Sequence, residues 1–195
     1  LVLARRCGDL SSEGGALNLL TWFEPDQARV LRLFQQALAA YTRADNTHGR
    51  AIVIGNLGAN CAQVGLFRRG RRLLREADAA HRRSGNVGAL AINCVNLFEA
   101  ELRLGQLDAA AAAAEEAGRI IVERGFRRFA GMPGWMRARL TLERGDPAAA
   151  AAQFEDAAAA QEDGNVALQM SFLAEAGHAW VRDGEPARAL AATSR

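Results

Sequence analysis

Residues 47–86 read THGRAIVIGNLGANCAQVGLFRRGRRLLREADAAHRRSGN, and they span one full period of an internal repeat. A glycine near the middle of this stretch recurs at forty-residue steps, the last one residue early: Gly65, Gly105, Gly145 and Gly184. Turn residues fall halfway between these glycines, at Asp45-Asn46, Gly85-Asn86, Gly125 and Gly164-Asn165. A third column is alanine: Ala37, Ala77, Ala117 and Ala157. Self-similarity at a period of about 20–50 residues is typical of solenoids, in which each repeat buries its apolar face against its neighbours.

Each repeat is predicted to contain two helices. Over 47–64, apolar residues recur three and four positions apart, as one helical face requires: Ile54, Leu57, Cys61 and Val64. Gly65 then ends the helix, because glycine adopts positive φ readily. A second helix is predicted over 67–83, with a buried face of Leu73, Leu74, Ala77 and Ala80. Gly85 ends it, and Asn86 is expected to cap the helix that follows.

The same pattern predicts helices along the rest of the chain, over 87–104, 107–124, 128–144, 147–163, 166–183 and 186–195. Upstream, Glu24-Pro25-Asp26 begins a helix that runs through Tyr41, with 10–23 as its partner although Gly14-Gly15 disfavours helix there. Met132-Pro133-Gly134 is expected to delay or bend the first helix of its repeat. No strand pattern and no linker are found in the sequence. It therefore predicts an all-α fold in a single domain over 1–195, with repeats at approximately 7–45, 46–85, 86–125, 126–164 and 165–195.

The composition favours thin, closely packed helices and excludes some functions. Hydrophobic residues make up 50% of the chain but aromatic residues only 6%, because alanine supplies much of the apolar share. The 24 basic and 22 acidic residues leave a net charge of +2, so no global attraction to nucleic acid is indicated. The chain contains no lysine, which excludes a phosphate-binding Walker loop within it.

Cysteine usage and hydropathy indicate a cytoplasmic setting. Cys7, Cys61 and Cys94 are widely spaced, which excludes a disulfide framework and any Cys-x-x-Cys metal or redox motif. No apolar run approaches the roughly 18–20 residues of a membrane span, so no membrane partner is predicted. The sequence begins with Leu1 and stops inside a predicted helix, and we expect it to be a fragment of a longer protein.

Small residues recur at matching places in the repeats. The clearest set is Leu57-Gly58, Gly65, Gly70, Leu74 and Ala77, and the next is Leu97, Gly105, Ala110, Ala114 and Ala117. This pattern resembles the tetratricopeptide repeat, which places small residues where paired helices cross. The resemblance implies a right-handed α-solenoid, a superhelix of about five antiparallel helix pairs. The period is longer than the family's usual 34 residues, and no proline ends the second helix. Such long repeats look like those of bacterial signalling proteins, including LuxR-family and maltose-regulator-type activators.

The resemblance also implies a concave groove, because the first helix of each pair lines that face in the family. The positions so predicted are Asn56, Asn60, Gln63, Asn93, Asn96, Glu99, Arg103, Trp135, Arg139, Glu143, Glu175, His178 and Arg182. Amides, guanidinium groups and an indole suit an extended peptide or a polar metabolite. Alternatively, these are ordinary polar positions of amphipathic helices, with Glu and Arg paired across adjacent repeats.

No constellation predicts catalysis. The three histidines, His48, His81 and His178, are widely separated in the sequence and have no partners at triad or metal spacing, so we expect no enzyme activity, no metal and no cofactor. An arginine cluster follows Phe67, but no aromatic residue is interleaved to stack bases, which favours a solvated face or an acidic partner over nucleic acid. Three hypotheses remain: a protein-binding sensor or relay region of a bacterial regulator, a small-molecule (inducer) sensor, and an oligomerisation module.

Overall fold

Helices account for all regular structure in the computed structural model, which describes residues 1–161 and 165–194. Within those residues there are eleven α-helices and no strand. In chain order they are α1 (Val2–Cys7), α2 (Leu10–Leu20), α3 (Gln27–Arg43), α4 (Thr47–Gln63), α5 (Phe67–Ser84), α6 (Val87–Arg103), α7 (Leu107–Glu123), α8 (Met132–Glu143), α9 (Pro147–Ala160), α10 (Val166–Arg182) and α11 (Pro186–Thr193). A 3-10 turn, Arg127–Phe129, precedes α8. The all-α prediction is thus confirmed for the described part of the chain.

The repeating turn residues end and begin helices as predicted. Gly65, two residues beyond the end of α4, adopts a φ of 84°, and the glycines at the equivalent places also have positive φ. Asp45, which occupies such a place without being glycine, has a φ of 50°. The Asn86 Oδ1 accepts from the backbone N–H of Ala89 at 3.2 Å, so the predicted cap forms. Gly164 lies outside the described residues.

Several predicted boundaries were wrong. Helix α1 was not anticipated, and α2 ends at Leu20 rather than at 23. Helix α8 begins at Met132 rather than at 128, with its proline in the first turn, so the delay expected from Met132-Pro133-Gly134 is confirmed. Helix α9 ends at Ala160, and the remainder of its predicted span, like Arg195, includes residues outside the described part.

The chain divides into two compact units, 1–100 and 101–195. In the N-terminal unit, one core cluster joins α2, α3 and α4, and its buried members are Leu17, Val30, Phe34, Ala37, Val53, Leu57 and Cys61. Helices α4 and α5 approach closely because a glycine lies on each at their crossing. A Cβ atom at Gly70 would lie 2.8 Å from the carbonyl oxygen of Gly58, so only glycine permits this spacing. Val64, predicted to be on the buried face, is instead exposed at the end of α4.

The C-terminal unit is packed around alanine and aromatic side chains. Phe154 and Ala157 on α9 and Phe172 on α10 are all buried, and the four members of the alanine column are buried throughout. Gln161, only 1% exposed, follows α9 and holds the segment before α8. Its Nε2 donates to the carbonyl of Arg128 at 2.7 Å, and its Oε1 accepts from the N–H of Gly131 at 3.0 Å. These two bonds satisfy backbone groups that the short, late start of α8 leaves outside the helix.

Candidate functional site

The N-terminal unit contains a cleft of about 310 Å³ between α4 and α6. Four asparagines line it, together with one histidine, one glycine and three apolar residues. The full lining is Ile52, Gly55, Asn56, His81, Asn86, Ala89, Ile92, Asn93 and Asn96. Among these described residues there is no acidic side chain and no arginine. We call this feature the asparagine cleft. Three of the predicted groove residues, Asn56, Asn93 and Asn96, meet in it.

Asn93 is the most deeply buried of the four asparagines, at 3% exposure. Its Nδ2 donates to the carbonyl oxygen of Leu74 on α5 at 2.9 Å. Since a carbonyl only accepts, this bond identifies which side of the amide carries the nitrogen and leaves Oδ1 on the other side. The buried Oδ1 has no hydrogen-bond partner among the described residues. Asn93 therefore presents an unsatisfied acceptor, a state that native interiors rarely tolerate.

His81 contributes a buried imidazole from α5, and it is 2% exposed. Burial lowers its pKa below the ordinary value, the nearby His48 lowers it further, and Asp78 partly opposes both. The side chain is therefore neutral near pH 7. Its Nδ1 also lacks a partner in the described part of the chain. His81 was not among the predicted site residues, although its spacing from Leu74 and Ala77 places all three on one helical face.

Gly55 allows these two groups to pack closely against α4. It lies in the interior of α4, where a Cβ atom would stand 3.3 Å from Asn93 Oδ1 and 4.0 Å from His81 Nε2. Glycine at such a position costs about 1 kcal/mol relative to alanine, because it loses more backbone entropy on folding. Asn93 and His81 therefore pack directly against the backbone of α4 at Gly55.

Two of the other three asparagines of the cleft already make hydrogen bonds within the protein. Asn56 Nδ2 donates to Asn18 Oδ1 on α2 at 3.1 Å. Asn86 uses its Oδ1 as a helix cap, which leaves its amide nitrogen available as a donor. Asn96 is partly exposed at the cleft. The cleft therefore offers both amide donors and amide acceptors.

In the C-terminal unit, three predicted groove residues form a cluster of their own. Trp135 Nε1 on α8 donates to Glu175 Oε1 on α10 at 2.9 Å, and Arg139 donates to Glu175 Oε2 at 3.1 Å. The guanidinium carbon of Arg139 lies 5.7 Å from the centre of the Trp135 ring, which in turn stacks on Phe172 at 6.0 Å. Trp135 is itself buried. These groups satisfy one another, as the alternative of Glu–Arg pairing between helices predicted.

The remaining predicted groove residues are not assembled into either group. Asn60 donates through Nδ2 to Gln27 on α3 at 3.3 Å, while its Oδ1 is buried without a partner in the described residues. Glu99 is partly buried. Exposed side chains make up the rest: Gln63, Arg103, Glu143, His178 and Arg182.

The two tryptophans outside the predicted groove behave differently. Trp180 is buried, its Nε1 donates to Glu155 at 2.8 Å, and Arg188 lies over its ring at 4.7 Å. Trp22 is 75% exposed and lies beyond the end of α2.

Three further observations concern metal binding, membrane-spanning helices and the Cys61 thiol. Within 1–161 and 165–194, no three His, Cys, Asp or Glu side chains come together as a group that could hold a metal ion. No helix in the described part of the chain is long and apolar enough to cross a membrane. Burial raises the pKa of the Cys61 thiol, against an opposing effect of the Arg69 charge, so Cys61 is protonated near neutral pH.

Comparison of the sequence with protein-family models and with curated proteins yields no match.

Proposed function

We propose that this chain is a non-catalytic, tetratricopeptide-like interaction scaffold that holds an extended segment of a partner protein. In this proposal the helix pairs stack as a right-handed solenoid. The scaffold serves as the sensor or relay region of a bacterial transcriptional or signalling regulator in the cytoplasm. The partner segment belongs to another protein or to another domain of the same polypeptide.

The observation that carries the proposal is the uncharged asparagine cleft between α4 and α6. An extended peptide presents backbone N–H donors and C=O acceptors along its length, and all of them are uncharged. Asparagine amides pair with both kinds of group, which makes a row of them suited to a peptide backbone. Asn56 and Asn96 face this cleft from opposite helices, so they can contact a segment that lies between α4 and α6.

The asparagine cleft also changes which residues are expected to bind the partner segment. The sequence pattern included Arg139 and Trp135 among the ligand-binding groups, but the indole N–H of Trp135 and one guanidinium N–H of Arg139 already donate to Glu175. A metabolite that used the indole N–H of Trp135 would have to break its bond to Glu175 first. We therefore assign binding to the asparagine cleft.

The experiment is an affinity selection of random twelve-residue peptides on the immobilised 195-residue chain, followed by anisotropy titration of the enriched peptides. We expect the double variant Asn56→Ala/Asn96→Ala to weaken binding at least tenfold, which corresponds to about 1.4 kcal/mol. Glu143→Ala, an exposed change in α8, is the matched control and should bind as the unaltered chain does. If no peptide is enriched, or if the double variant binds equally well, the proposal fails.

A small-molecule effector is the second candidate, and the uncharged, amide-lined cleft between α4 and α6 favours it. The cleft volume of about 310 Å³ is at the lower end of the range for ligand pockets. A thermal-shift screen against neutral metabolites tests this candidate. A ligand at about 100 times its Kd adds about 2.7 kcal/mol of stability. Such a shift, without any peptide enrichment, would favour the effector function over the scaffold.

A further inference from the structure

Two aromatic side chains that follow α2 are left in solvent. Trp22 and Phe23 are 75% and 78% exposed, and Leu19 and Leu20, the last two residues of α2, are exposed as well. Single exposed apolar residues are common on protein surfaces, but several large ones within one short stretch are typical of interaction sites. We call these four residues the Trp22 patch.

A cavity of about 330 Å³ adjoins this patch and is lined by residues of α2, of α3 and of the segment between them. Leu20 and Phe23 belong both to the patch and to the cavity lining, and Leu33 of α3 adds a third apolar side chain. A space of this size accepts one large apolar side chain, such as leucine or phenylalanine. A partner can therefore insert an anchor residue there.

Arg32 gives the cavity an uncompensated positive charge. Arg29 also lines the cavity, but its Nε lies 3.3 Å from Glu24 Oε2, so those two charges offset each other. Arg32 is exposed, and in the described part of the chain it takes part in no ion pair and no hydrogen bond. Its guanidinium group therefore retains its N–H donors for a ligand, and the planar fork of these donors matches a carboxylate.

We infer that the Trp22 patch and the adjoining cavity dock an acidic, apolar segment of a partner protein, in which an Asp or Glu lies close to a large apolar side chain. The apolar side chain enters the cavity among Leu20, Phe23 and Leu33, and the carboxylate pairs with Arg32. The inference goes beyond the proposed function, because this surface belongs to α2 and α3 and selects for charge, whereas the asparagine cleft lies between α4 and α6 and is uncharged.

An anionic membrane fits this surface less well than a protein segment does. Exposed tryptophan and phenylalanine also occur where proteins bind the membrane interface, but that mode relies on an excess of basic residues. Here Glu24 and Asp26 follow the patch directly in the chain, and toward a flat anionic surface they offset the charges of Arg29 and Arg32. A protein segment can place one carboxylate at Arg32 and avoid the two acidic side chains.

Three variants separate the patch from the rest of the fold. Trp22→Ala/Phe23→Ala removes the aromatic surface, and its thermal midpoint should be nearly unchanged because both side chains are mostly exposed. Arg32→Glu reverses the free charge. Arg72→Glu is its matched control, since it makes the same change of charge at an exposed arginine in the middle of α5.

The experiment selects random twelve-residue peptides in parallel on the unaltered chain, on Trp22→Ala/Phe23→Ala and on Asn56→Ala/Asn96→Ala. We expect a set of peptides that the asparagine variant retains and the aromatic variant loses, and each should carry an Asp or Glu close to Leu, Ile, Phe or Trp. If the asparagine variant alone loses peptides, the inference fails and the scaffold function stands. If the aromatic variant alone loses them, the inference stands and the asparagine cleft is excluded. Enrichment of no peptide contradicts both.

A charge swap then tests the role of Arg32. One enriched acidic peptide and its lysine version are titrated by fluorescence anisotropy. Arg32→Glu should weaken the acidic peptide at least about tenfold and strengthen the lysine version, whereas Arg72→Glu should change neither. The tryptophan emission should also shift to shorter wavelength on binding, because Trp22 is the exposed one of the three tryptophans. Equal weakening by Arg32→Glu and Arg72→Glu would overturn the inference.

Two further measurements test other occupants of the Trp22 patch. Co-sedimentation with vesicles of phosphatidylcholine and phosphatidylglycerol tests a lipid surface, and sedimentation velocity over a range of protein concentrations tests a second copy of this chain. We expect neither vesicle binding nor self-association. Either one, if it disappears in Trp22→Ala/Phe23→Ala, would assign the patch to that occupant and overturn the inference.

Discussion

Asn93 donates its side-chain Nδ2 to the backbone carbonyl of Leu74 at 2.9 Å, so a buried amide of α6 is bonded to the backbone of α5. An aspartate at this position has the same shape but cannot donate near pH 7, and it would bury a charge against a carbonyl oxygen. We expect Asn93→Asp to lower the free energy of unfolding by about 3 kcal/mol. Urea unfolding at pH 7 measures this loss.

The control for that substitution is Asn96→Asp, one turn further along α6. Asn96 is partly exposed, so its charge remains hydrated and the free energy of unfolding should change by no more than about 0.5 kcal/mol. Equal losses in the two variants would show that the bond to Leu74 does not determine the stability of this region.

A second prediction concerns Glu175, whose carboxylate accepts from both Trp135 and Arg139. Glu175→Ala removes an acceptor from each donor and should cost about 1–3 kcal/mol of unfolding free energy. Glu175→Gln retains one acceptor oxygen, and we expect roughly half that loss. Chemical unfolding followed by tryptophan fluorescence measures both, with the exposed Glu143→Ala as the control. If Glu175→Ala loses no more unfolding free energy than Glu143→Ala, the cluster of Trp135, Arg139 and Glu175 does not contribute to stability.

Features determined by local sequence were predictable here. A glycine at the end of a helix needs only its own backbone freedom, so Gly65 and its equivalents revealed the turns. The alanine column likewise marked buried positions, because a small residue repeated at one place in every helix pair indicates close packing. The late start of α8 followed from Pro133. Each of these effects acts within a few residues of its cause.

The site was predicted only in part, because side-chain partners come from distant helices. The family resemblance implied that Asn56, Asn93 and Asn96 belong to the groove face, and all three line the asparagine cleft. His81 was missed because it comes from a second helix, which the family resemblance did not assign to the groove. Trp135 was predicted to bind ligand, but its partner Glu175 lies 40 residues further along the chain. That separation equals one repeat, and in the sequence it was the only indication that Trp135 and Glu175 pair.

Tyr41 provides a third prediction, because its ring lies between two glycines. A Cβ at Gly14 on α2 would lie 2.9 Å from the ring, and a Cβ at Gly49 on α4 would overlap it. Gly14 thus allows α2 to form against Tyr41 despite the low helix propensity of Gly14-Gly15. We expect Gly49→Ala to destabilise the fold by about 1–3 kcal/mol through overpacking, although alanine favours helix.

Thermal unfolding of Gly49→Ala alone and combined with Tyr41→Leu checks this cause. The smaller leucine should recover part of the loss, so the two changes should be non-additive. Gly88→Ala, with nothing near its Cβ, should not lower the midpoint. Strictly additive losses would mean that the Tyr41 ring is not what excludes a side chain at Gly49.

The last prediction follows from the buried His81. Its pKa is lowered in the folded protein from an ordinary value of 6.5, mainly by burial and also by His48, with Asp78 opposing. As pH falls below 6.5, the unfolded chain takes up a proton at this site before the folded chain does. The unfolded state then binds more protons, and stability must fall with falling pH. We therefore expect the thermal midpoint to decrease between pH 7.5 and 5.5, and His81→Gln to show a smaller decrease. His178→Gln, which changes an exposed histidine, should retain the full pH dependence. A pH dependence that is identical in His81→Gln would exclude His81 as its source, since the proton uptake would then have to occur elsewhere.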